Sequence, residues 1–106
     1  MKFDARVRDR QVYEGDFITV EVFLEYKGRG GPRIQHPNWE DYQFEQVFSS
    51  EDNKVDREGD VFVYQFKTTF ILMPLKTGKL TIPSFTAGNS QTLPIQITVK
   101  PRESED

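Results

Sequence analysis

Residues 17 to 26 read FITVEVFLEY, and in them the two faces of the chain trade places residue by residue. Ile18, Val20, Val22, Leu24 and Tyr26 fall on one side. Thr19, Glu21 and Glu25 fall on the other, joined by Phe17 and Phe23. A repeat of two belongs to an extended strand with one greasy face, whereas a helical face recurs every three or four residues. The pattern returns in VFVYQFKTTFIL, where Phe62, Tyr64, Phe66, Thr68, Phe70 and Leu72 share a face and Val61, Val63, Gln65, Lys67 and Thr69 oppose it. It returns again in TLPIQITVK, with Leu93, Ile95, Ile97 and Val99 predicted inward. Helical spacing is nearly absent.

Shorter runs fill the gaps. Ala5 and Val7 alternate in DARVRD, Tyr42, Phe44 and Phe48 in YQFEQVF, and Leu80 with Ile82 in KLTI. Turn-forming residues separate them at Gly15, Gly28 to Pro32, Gly59, Gly78 and Gly88. Six or seven strands at this spacing predict an all-β fold, an antiparallel immunoglobulin-like β-sandwich of about seven strands. With 106 residues the chain suits one domain, assigned to residues 1–100, and the charged PRESED of 101–106 reads as a tail or the start of a linker.

Proline placement fits this frame. A proline cannot donate to a ladder, so it collects at strand ends and edges. Pro74 and Pro83 read as strand ends around the Gly78 turn, and Pro94 as a device that blunts an exposed edge. The polar SSEDNKVDREGD reads as a solvated connection between strands, because its carboxylates match no calcium loop and Lys54 and Arg57 interrupt them. Arg6, Arg8 and Arg10 share one parity of the first strand, where charge protects a sheet edge.

Chemistry is sparsely encoded. A net charge of −3 argues against nucleic-acid binding, which calls for a basic face. There is no cysteine and one histidine, His36, so neither a disulfide, a thiolate metal site nor a nucleophilic triad is expected. Gly28, Gly30 and Gly31 lack the following Gly-Lys-Ser/Thr run of a phosphate loop. The loop from Lys27 to Asp41, rich in Gly and Pro, is the irregular region where a sandwich would meet partners. From it Arg29, Arg33, His36 and Trp39, with the adjoining Tyr42, are the candidate partner-binding residues. Trp39 is expected to pack over the sandwich end rather than to serve as an interface anchor. No catalytic, cofactor-binding or metal-binding residue is expected.

The second half of the chain, YQFKTTFILMPLKTGKLTIPSFTAGNSQTLPIQITVKP, resembles domains of the BatD family, the oxygen-tolerance or aerotolerance proteins. The likeness rests on Pro74, Lys76, Gly78, the Leu80-Thr81-Ile82-Pro83 strand, Gly88, and Pro94 to Val99. VYEGDFITVEVFL and HPNWEDYQFEQVFSS are similar to the family's opening and middle strands. The resemblance implies an immunoglobulin-like module of a larger bacterial envelope protein, facing the periplasm and tied to the inner membrane by a segment outside this stretch. It further implies a membrane assembly with proteins carrying von Willebrand A, tetratricopeptide or AAA+ ATPase domains, and no enzymatic activity or cofactor. The expected function is therefore a non-catalytic protein-interaction or scaffold module, without direct membrane insertion by this domain. The alternative is a carbohydrate-binding sandwich using Trp39 and Tyr42.

Overall fold

A computed structural model describes residues 1–28 and 32–102. Strand β1 (Lys2–Val7) pairs with β3 (Ile18–Lys27), which pairs with β6 (Val61–Pro74), and β6 pairs with β5 (Phe44–Glu58). All three pairings are antiparallel, and the order β1-β3-β6-β5 reproduces the A-B-E-D order of an immunoglobulin sheet. A second sheet sets β10 (Ile95–Lys100) between β2 (Gln11–Tyr13) and β7 (Gly78–Ile82). Three two-residue strands, β4 (Ile34–Gln35), β8 (Thr86–Ala87) and β9 (Ser90–Gln91), form a small third sheet, so the described strands exceed the expected seven.

The alternating faces explain how the layers meet. From the large sheet Ile18, Val20, Val22, Phe70 and Leu72 point inward, and from the second sheet Val12, Leu80, Ile82, Ile95, Ile97 and Val99 answer them. Phe44, Phe85 and Trp39 complete this cluster. The predicted all-β sandwich is the observed fold, with one parallel exception: β2 runs alongside β10. The exception arises because the first stretch of chain leaves the large sheet after Val7 and rejoins the other sheet at Gln11.

Several expectations are corrected. The stretch from Ser49 to Glu58 is strand, not connection: β5 continues through it, paired with β6 residue by residue as far as Glu58 opposite Val61. Leu93 is 84% exposed, because β10 begins only at Ile95. Pro94 blunts no edge, since β10 is the central strand of its sheet; it fixes the point where that strand begins. Phe48 and Phe62 are exposed rather than core residues. Tyr42 belongs to a short 3-10 helix, Trp39–Tyr42, that precedes β5. Arg6 and Arg8 are exposed on and just beyond edge strand β1, where Arg6 pairs with Asp4 and Arg8 with Glu21.

Strands β5 and β6 are 15 and 14 residues long, while β7 and β10 have 5 and 6. The large sheet therefore overhangs the small one. The molecule is elongated, 65 × 23 × 17 Å.

Candidate functional site

Where the large sheet runs past its partner, its inner face is covered only in part. Tyr26 of β3 lies opposite Tyr64 of β6, and their rings stack at 4.9 Å with 18° between planes. Phe66 lies parallel to Tyr64 and 5.8 Å from Tyr26. Cross-strand aromatic pairs of this kind stiffen a sheet that lacks a second layer beneath it. Val55, opposite Tyr64 on β5, is 54% exposed at the rim of this apolar ledge.

Between the ledge and the segment from Pro32 to His36 runs a groove of about 620 Å³. Its floor is Tyr26, Phe66, Thr68 and Phe70, spaced by two along each strand so that all share the inner face. Glu51 and Asn53 form one wall because the β5 register sets them opposite Thr68 and Phe66. Arg33 and His36 come from the other side, and the His36 ring rests 5.4 Å from that of Phe70. An aromatic floor with an acid, an amide, a guanidinium and an imidazole around it can hold an extended chain by stacking and hydrogen bonds. Among the described residues, no three of His, Asp and Glu cluster closely enough to hold a metal ion.

The predicted candidates divide sharply. Arg33 and His36 line the groove, while Arg29 lies outside the described residues. Trp39 is only 4% exposed. Its ring stands edge-on to Phe44, Phe70 and Phe85 at 6.2, 5.4 and 5.7 Å, so it packs over the sandwich end and turns no free face to a sugar. Tyr42 is exposed but lines no part of the groove. Sequence reasoning missed Tyr26, Glu51, Asn53 and Phe66 as groove residues. Tyr26 and Phe66 carried a strand signal that fitted core positions equally well, and Glu51 and Asn53 sat in a stretch read as loop.

The outer face of the same sheet carries a compact charged cluster. Lys67 Nζ lies 3.1 Å from the Glu21 carboxylate and Arg8 Nε lies 3.6 Å from it. The Lys67 hydrogen bond, with the charges of Lys67 and Arg8, holds the Glu21 carboxyl below its ordinary pKa against a smaller opposing cost of burial. Lys67 and Arg6 both lie 5.7 Å from the Phe23 ring centre. These contacts brace the sheet, and beside them Phe23 and Lys67 line a second cavity of about 430 Å³ together with Asp4, Glu25, Asp52 and Gln65.

Two β layers, one overhanging the other with an open long edge, define an immunoglobulin-like module. The chain belongs to the BatD family: the family model described as a BatD DUF11-like domain matches residues 5–99. No curated protein and no solved structure matches the chain.

Proposed function

We propose that this domain is a non-catalytic interaction module of a BatD-type protein of the bacterial envelope. Its parent would sit on the periplasmic side of the inner membrane, anchored by a segment elsewhere, with this domain itself outside the bilayer. Its partners are proteins, of the kind that carry von Willebrand A, tetratricopeptide or AAA+ ATPase domains, and not nucleic acid. Family membership supports the envelope setting. The observation that carries the interaction role is the overhang of the β5–β6 hairpin, which sets a groove directly beside a long, open strand edge. Groups arranged in this way hold a chain by shape and by backbone pairing, with no reacting centre required. Chemical crosslinking of the parent protein in native membrane extracts tests the reading. Covalent adducts with other proteins are expected; recovery of glycan alone, or of no adduct, would contradict it.

A further inference from the structure

We infer that the free edge of β5 accepts an extended, basic segment of a partner protein as a fifth strand of the large sheet. The inference rests on the interaction-module reading and adds to it a place, a binding mode and a partner chemistry.

The edge itself is the first ground. β5 ends the sheet order, so among the described residues the backbone groups along its outer side meet no neighbouring strand. At 15 residues it is far longer than the ~5–6 of an average strand. Proteins usually blunt such an edge with charge, proline, a bulge or a short strand, since an open ladder recruits other chains; of these β5 carries charge, which turns away strands of like sign and admits one of opposite sign. From Phe48 to Glu58 there is no proline and no glycine, and the pairing with β6 is unbroken; the single irregularity, between Gln46 and Phe48, lies at the core end. The opposite edge, β1, has only six residues.

Charge sets the partner's chemistry. β5 carries Glu45, Glu51, Asp52, Asp56 and Glu58 against Lys54 and Arg57, a net of −3. A second copy of β5 would bring the same excess of negative charge. A strand rich in lysine or arginine neutralises it, and like charges set directly opposite are the arrangement that cross-strand pairing disfavours.

The groove is the independent ground. On the inner face an added strand would lie beside Ser49, Glu51, Asn53 and Val55, and every second side chain of it would enter the groove wall. There the aliphatic stem of a lysine or arginine lies along Asn53 and Val55 at the rim of the groove while its head reaches Glu51. The remaining side chains fall on the outer face beside Asp52 and Asp56. Backbone pairing supplies affinity and the alternate side chains supply selection.

The test uses the 106-residue chain and three synthetic eight-residue peptides: one alternating Lys and Val, one alternating Glu and Val, and the Lys-Val peptide methylated at alternate backbone nitrogens. Calorimetry reads affinity, and amide NMR reads location. The Lys-Val peptide is expected to bind, to shift amides between Ser49 and Arg57, and to weaken with salt. The Glu-Val peptide, the methylated peptide, and a Glu51→Lys/Asp52→Lys variant with an unchanged NMR fold are each expected to lose affinity at least tenfold. Equal binding by the methylated peptide, shifts confined to other strands, absence of Lys-Val binding, or a β5-paired dimer in sedimentation would overturn the inference. Any of these results alongside protein adducts in the membrane-extract crosslinking would end the added strand alone and leave the interaction module standing.

Discussion

Trp39 meets Phe70 at 5.4 Å with 62° between their rings, and this edge-to-face contact ties the 3-10 helix to the centre of the large sheet. The loop tryptophan is thus a core residue, with its indole N–H buried and without an acceptor among the described residues. Removing it leaves a cavity among Phe44, Phe70 and Phe85. Trp39→Ala is expected to cost about 3–5 kcal/mol in urea unfolding, the usual range for a large core aromatic. Trp39→Phe should cost less, because it keeps an aromatic edge and deletes the orphaned donor. An unchanged unfolding midpoint for Trp39→Ala would refute the packing role.

Thr92 and Phe85 form a reciprocal pair beneath the same end. The Phe85 N–H donates to Thr92 Oγ1 at 2.8 Å, and the Thr92 N–H donates to the Phe85 carbonyl at 2.9 Å. Both residues are buried, so Thr92→Val strands a backbone donor without changing shape. A loss of about 1–3 kcal/mol is expected. Thr92→Ser, which keeps the acceptor, should lose visibly less; equal losses would show that the hydroxyl does not matter.

Acid sensitivity follows from Glu21. Its carboxyl is held below the reference value of 4.5, so the folded state binds the proton less readily than the unfolded chain. The resulting stability is present above the unfolded pKa and is lost as pH falls through the lower folded one. Glu21→Gln should destabilise at neutral pH by ~0.2–1 kcal/mol, the scale of an exposed ion pair. The gap between wild type and variant should narrow as unfolding is measured at pH values falling below 4.5. A gap that persists there would mean that packing, not charge, holds Glu21.

Gly78 has φ +107, with open space where a Cβ would stand. Steric clash is therefore absent, and the cost of a side chain is backbone strain alone. Gly78→Ala is expected to lose about 1–3 kcal/mol by thermal or urea unfolding. A neutral substitution would mean that the turn leading into β7 tolerates another backbone conformation.

Legibility in the sequence tracked burial. Ile18 to Leu24 and Ile95 to Val99 alternate because each has one face in the core and one in water, and the period of two marks both as strands. Beyond Phe44, β5 has both faces wet, so nothing imprinted a period of two and the strand passed for a connection. Leu93 misled in the opposite sense: it continues the alternation of β10 but precedes the Pro94 at which pairing has not begun. Arg33 and His36 were visible as loop residues. The groove they line was not, because Tyr26, Glu51 and Phe66 are brought to it by strand register across long stretches of chain.

The overhanging hairpin as the contact surface is tested most directly by position-resolved photocrosslinking in cells. A photoreactive phenylalanine analogue is placed singly at Asn53 or Val55 on β5, or at the exposed Gln96 on β10 of the second sheet. Protein adducts are expected from positions 53 and 55 and not from 96. Adducts from 96 alone, with none from the hairpin, would contradict it.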